Sequence, residues 1–223
     1  MERERKEMGK GKSELRLAME ELMLCCRQGD GEQVQEQPRS STMDLISVSK
    51  QLIRVLDEIG PTLLVLRQDI QQNVQRLQDL LERDSSKYAS LTAIVTEEVE
   101  QGTAKKTNSC TRAIIWLSRS INFSKYLLER LLKAPELSLV EIVEEAYGNI
   151  LRPWHGWISS AAYKVALKLV PERDAFVGLL MGDSQDLGDL AEDAKMLAYA
   201  VQPLLEEIDA VLAKHNLDKL KSS

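Results

Sequence analysis

Histidine and cysteine are scarce in this chain: two and three, respectively, in 223 residues. Cys25, Cys26 and Cys110 supply neither a disulfide framework nor a spaced metal site. His155 and His215 lie too far apart in sequence to repair that, so no metal and no cofactor is expected. Free cysteines in such low number suit a reducing compartment, most simply the cytosol. No apolar run approaches the roughly 20 residues that span a bilayer. Met1-Glu2-Arg3-Glu4-Arg5-Lys6-Glu7 leads into no signal-peptide core. Positive charge is also in deficit, 29 Lys and Arg against 35 Asp and Glu, for a net charge of −6. That balance excludes a general electrostatic grip on nucleic acid. There is no glycine-rich phosphate loop and no nucleophile elbow. A hydrolase built on His155 as base and Asp69 as its orienter therefore has no nucleophile to activate, and the chain is not read as an enzyme. Sustained period-two alternation is missing too, which removes sheets from the fold, and no repeat of fixed period replaces them.

What is present is helical periodicity. Hydrophobic residues make up 43% and charged residues 29%, ordinary for a globular protein able to bury a substantial core. Residues 1–42 are predicted to be an N-terminal extension: a charged tail, a short helix capped by Ser13, and a Gly-, Gln- and Ser-rich loop from Gly29 to Thr42. Residues 43–223 are predicted to form the domain. Helices are expected from about Met43 to Ile59, from Pro61 to about Arg83, through Tyr88 to Gly102, from Cys110 to Lys133, and from Leu137 to Tyr147. Others follow Pro153 up to Pro171, cover Ala175–Met181, and run from Leu187 past Val211, with a possible bend at Pro203. Gly60-Pro61 marks one junction, since glycine suits a helix end and proline a helix start. The fold class is all-α, with about eight or nine helices.

Three places carry polar or aromatic residues where core residues belong. In the helix after Pro61, Asn73 interrupts an apolar stripe between Ile70 and Leu77, with Asp69 and Arg76 four and three residues away on the same face. A buried asparagine left unpaired costs about 1–3 kcal/mol, so a partner is required; an internal Asp69–Arg76 pair with Asn73 bonded to nearby backbone is the structural alternative. In the Cys110–Lys133 helix, Arg112, Trp116, Arg119 and Phe123 take one side and Ile114, Leu117, Ile121, Leu128 and Leu132 the other. That places the helix between a core and a pocket, where an indole stacks on a sugar ring and guanidinium forks bind oxyanions; Arg119 paired with an acid such as Asp69 is again the structural alternative. Finally, Pro153-Trp154-His155-Gly156-Trp157 concentrates two of three tryptophans and one of two histidines at a predicted helix start. Trp157, Ile158, Ala161, Ala162, Val165, Ala166 and Leu169 follow on a face expected to be buried.

Together, the segments Val65–Asn73, Ser109–Arg119 and Pro153–Trp157 continuing to Pro171 resemble the glycolipid transfer protein family, closest to its plant branch. The resemblance covers about residues 43–220. It implies a two-layer helical sandwich holding one sphingolipid, headgroup at the surface and chains in an apolar tunnel, and moving it between membranes without chemistry. Carried over, Asp69 and Asn73 bond headgroup hydroxyls and the sphingoid amide, and Arg76 takes the place of a lysine in the best-known glycolipid members. Trp116 is the platform for the first sugar, His155 bonds the amide carbonyl, and Trp157 lies near the membrane-contacting face. Relatives that carry ceramide phosphate resemble this chain at Arg112, which faces their phosphate, but have lysine in place of Asn73 and arginine in place of Trp116. Two of three diagnostic positions thus favour a glycosylceramide. The alternatives are a ceramide phosphate-type transfer protein, and a sphingolipid sensor or scaffold without net transfer. The implied partners are a sphingolipid and, transiently, a membrane surface, with the protein a monomer.

Overall fold

A computed structural model describes residues 13, 15–17, 20, 40–182, 184 and 186–222. Among them there is no strand, and eight α-helices follow in chain order. These are α1 Ser41–Ile59, α2 Leu64–Arg83, α3 Leu91–Glu100 and α4 Cys110–Lys133, then α5 Leu139–Ala146, α6 Trp157–Leu167, α7 Arg173–Met181 and α8 Leu187–Lys214. The fold is an all-α, two-layer helical sandwich. Helix α4 is its centre and packs against α1, α2, α3, α5 and α8.

Helix starts follow capping chemistry. Ser40, Ser90, Ser109 and Ser138 each accept a first-turn N–H, satisfying donors that have no intrahelical partner. Ser138 adds a capping box with Glu141. The first turn of α4 has a second cap that the sequence does not announce. The Glu98 carboxylate, from α3, accepts the N–H groups of Cys110 and Thr111 at 2.9 and 2.8 Å, a favourable place for negative charge. Gly60 joins α1 to the Pro61–Leu63 turn at φ +98°, a conformation that only glycine adopts without strain. Helix α8 runs through Pro203 without ending there.

Two apolar clusters form the core. The larger holds Leu45, Leu77, Leu91, Ile114 and Ile208, from α1, α2, α3, α4 and α8. The smaller gathers Leu127, Leu131, Ile142, Phe176 and Leu190, from α4, α5, α7 and the start of α8. Leu15 belongs to the smaller cluster. Nearby, the Ser13 hydroxyl donates to the buried carboxylate of Asp193, and Arg16 lies 2.7 Å from its other oxygen. This part of residues 1–42 thus contributes side chains to the domain. Residues 15–17 are helical and Ser13 accepts the Arg16 N–H; Leu22, Leu24, Cys25, Cys26 and most of the Gly29–Thr42 loop lie outside the described residues.

Four expectations need correction. Helix α1 begins at Ser41, two residues before Met43. Tyr88 lies in a separate short turn, Lys87–Ala89, before α3. Pro153 opens only a single 3-10 turn, Arg152–Trp154, and α6 starts afresh at Trp157. The α6 stripe is not buried: no α6 residue is, and Trp157 is 82% and Val165 63% exposed. Periodicity reports that a face is apolar, not that protein covers it.

Candidate functional site

A cavity of about 1770 Å³ lies between the two core clusters. Pockets for drug-sized ligands hold roughly 300–1,000 Å³, so this space suits a longer molecule. Leu52, Val55, Phe123, Leu128, Val143 and Phe176 line its apolar part. Asp69, Asn73, Arg76, Arg112, Trp116 and His155 also border it, so the six sequence-predicted headgroup residues converge on one space. Trp157 does not line it; it projects outward on α6 beside Ile158, which does.

On α2, Asn73 is 4% exposed and its amide is engaged within the helix. Its Nδ2 donates to the Asp69 carbonyl at 3.0 Å, and its Oδ1 accepts from Arg76 Nη1 at 3.0 Å. Asn73 thus satisfies its burial requirement locally, and Arg76 fixes which way the amide points. The Asp69 carboxylate itself is open to the cavity and takes no hydrogen bond from a described residue. The protein crowding around it raises its pKa above the ordinary carboxylate value, and Arg76 opposes this in part. The direct Asp69–Arg76 pairing considered from the sequence is not formed as a salt bridge. What remains is an acceptor-only group aimed at whatever donors enter.

On α4, Arg112 and Arg119 are buried, each 8% exposed; Arg112 borders the cavity, whereas Arg119 does not line it. Arg119 does not reach Asp69. It donates to the carbonyls of Leu220 and Asp218 at 2.8 and 3.0 Å. Its guanidinium lies 4.8 Å from the Trp116 ring centre and 4.4 Å from that of Trp154, a cation–π sandwich that fixes both indoles. Burial, then the neighbouring Arg112 charge, lower the Arg119 pKa to about 10, with Asp218 opposing them. Arg112 Nη2 donates to the Lys221 carbonyl at 3.1 Å.

His155 reaches this cluster because the backbone between α5 and α6 is not α-helical. A π-turn, Tyr147–Leu151, and the 3-10 turn after it carry the chain to His155, whose backbone is extended. Such departures recur at functional sites. The imidazole lies 5.6 Å from Trp116 and 5.4 Å from Tyr147, edge-on to the latter, and Tyr147 stacks on Tyr163. Nδ1 is buried with no hydrogen-bond partner among the described residues. Burial first, and the Arg119 charge second, lower the His155 pKa, so the ring is neutral at physiological pH and carries one N–H donor. The Tyr163 hydroxyl is likewise buried without a partner, and burial, Glu144 and Tyr147 push its pKa up to about 12. Sequence reading missed Tyr147, Tyr163 and the supporting role of Trp154; the short spacing from Tyr147 to Tyr163 across a helix break was the available signal. Cys110, half-buried with its thiol pushed up to about 11 chiefly by burial, is an unreactive thiol in this setting.

The family described as glycolipid transfer protein matches residues 40–182. Along its whole length the chain is 41% identical to glycolipid transfer protein 2 of Arabidopsis thaliana, all of which is covered. It is 29% identical over 175 residues to human pleckstrin homology domain-containing family A member 8, matching 75% of this chain and 33% of that protein. Among solved structures, one described as showing how FAPP2 selects simple glycosphingolipids using the GLTP-fold superposes with a TM-score of 0.74 at 26% identity, covering 86% of this chain and 93% of that one. Mouse ceramide-1-phosphate transfer protein shares the fold at a TM-score of 0.75 and 20% identity, covering 92% and 98%. On the family match and the full-length Arabidopsis relative, this chain belongs to the glycolipid transfer protein family.

Proposed function

We propose that this protein is a non-enzymatic carrier that holds one sphingolipid, with a glycosylceramide-type headgroup, and moves it between membranes. The observation that carries this reading is a single cavity, apolar within, whose border gathers Asp69, Asn73, Trp116 and His155. Acyl chains take the apolar part, where each buried methylene contributes about 0.8 kcal/mol. The Asp69 carboxylate accepts from headgroup hydroxyls or the sphingoid N–H. The neutral His155 donates to the amide carbonyl, and Trp116, braced by Arg119, stacks on the first sugar. Arg76 acts by holding Asn73. Exposed Trp157 and Val165 on α6, and Leu169 just past its end, rest on the membrane while the lipid enters. Among the described residues no helix is long and apolar enough to cross a membrane. On this reading the carrier is a cytosolic monomer that visits bilayers.

Arg112, buried at the cavity border, is the one observation that favours ceramide phosphate instead. The deciding experiment is transfer of fluorescent glucosylceramide and ceramide phosphate between vesicles by wild type and Trp116→Ala. Selective loss of glucosylceramide transfer, with circular dichroism and melting preserved, is the expected result. Joint collapse of fold and activity makes Trp116 a packing residue. Binding without net transfer makes the protein a sensor.

A further inference from the structure

Beyond α8 the chain turns back on itself. Asn216 adopts φ +53°, a left-handed conformation in which asparagine is enriched. Leu217, 1% exposed, locks the turn through its N–H to the Leu212 carbonyl at 2.9 Å. Residues 218–222 then run across the α4 face that borders the cavity. Their backbone presents carbonyls to both buried arginines: Asp218 and Leu220 to Arg119, and Lys221 to Arg112. Ser222 ties the far end to the loop before α6. Its N–H donates to the Trp154 carbonyl at 2.8 Å, its Oγ accepts the Gly156 N–H at 2.7 Å, and the Ser159 hydroxyl lies 3.1 Å from the same oxygen. Ser222 borders the cavity together with Asp69, Arg112, Trp116 and His155.

We propose that residues 218–222 are a specificity-determining wall of the headgroup site, in which the Lys221 carbonyl occupies part of the Arg112 fork and so favours uncharged headgroups over phosphate. The inference rests on the lipid-carrier reading above. A sugar can settle against Asp69 and Trp116 with this strap in place. A phosphate taking the Nη2 side of the Arg112 fork must displace the Lys221 carbonyl. Because the Ser222 anchors hold that carbonyl in place, displacement disturbs several hydrogen bonds at once. Charge-assisted bonds to phosphate are strong, so the preference lasts only while the strap is anchored. This explains how one site combines a glycolipid-type Asn73 and Trp116 with an arginine suited to phosphate.

The test is Ser222→Pro, which removes the N–H to Trp154 and the hydroxyl that meets Gly156 and Ser159, while sparing the carbonyls that hold Arg119. Vesicle transfer rates for ceramide phosphate and glucosylceramide are compared with wild type. The ratio of ceramide phosphate to glucosylceramide is expected to rise about tenfold, the lower end for gaining a hydrogen bond to a charged group. The rise should vanish in Ser222→Pro/Arg112→Leu. If Ser222→Pro melts early, Ser222→Ala, which loses only the hydroxyl contacts, should show a smaller rise of the same sign. A folded variant with an unchanged ratio, or a rise that survives Arg112→Leu, overturns the proposal. Wild type that carries ceramide phosphate but no glucosylceramide sinks the headgroup reading instead. The change in ceramide phosphate rate on Ser222→Pro still judges the strap.

Discussion

Replacing Asp69 by Asn should weaken lipid binding while making the empty protein more stable. Asparagine keeps the shape but gives up the charge and one acceptor oxygen. If the carboxylate accepts from a headgroup hydroxyl, its loss forfeits a hydrogen bond to a charged group, about 1.5–3 kcal/mol, which is about ten- to a hundredfold in affinity. Stability moves the other way because the folded protein crowds this carboxylate more than Arg76 compensates, raising its pKa. A carboxyl with a raised folded pKa lends stability in its protonated state, below the unfolded value of about 3.9. That stability is lost as pH climbs through the folded pKa. Wild type and Asp69→Asn should therefore melt alike below about pH 3.9, and the variant should melt higher at neutral pH. The assays are thermal unfolding of lipid-free protein across that range and equilibrium binding of glucosylceramide. A variant that binds normally removes Asp69 from the site. One that melts lower at neutral pH shows the carboxylate serving the fold, contrary to this reasoning.

His155→Phe should abolish a pH dependence: burial lowers the wild-type histidine pKa, so its stability contribution is intact above about 6.5 and declines as pH falls from there through the folded value. Thermal melts from pH 8 to 5 that fall equally in both proteins would assign the effect elsewhere. Trp157→Ala should leave the melting free energy within about 0.5 kcal/mol, as for exposed sites generally, yet weaken vesicle association about tenfold, in line with the burial of a large apolar side chain. Unchanged vesicle flotation of the variant would move the membrane contact off this residue.

The helices and most of the candidate site were legible in the sequence because their signals are local. Gly60-Pro61, the serine caps and the stripes of α1, α2, α4 and α8 each depend on neighbours within a turn or two. Asn73 and Trp116 stood out because each breaks such a stripe, and the three motifs carried the family. Everything that depends on partners distant in sequence waited for the tertiary structure. Only packing decides that α6 keeps its apolar stripe uncovered, since the same spacing serves a core or an exposed face. Only packing places Glu98 under α4, and only the helix break at Tyr147–Leu151 brings His155 beside Trp116. Arg112 and Arg119 read as a flank facing a pocket, because guanidinium forks suit the oxyanions of a ligand. Folding instead buries them and sets them against the carbonyls of Asp218, Leu220 and Lys221, about a hundred positions away. Backbone carbonyls are the same at every residue and leave no mark in a sequence; where they come to lie is a property of the fold.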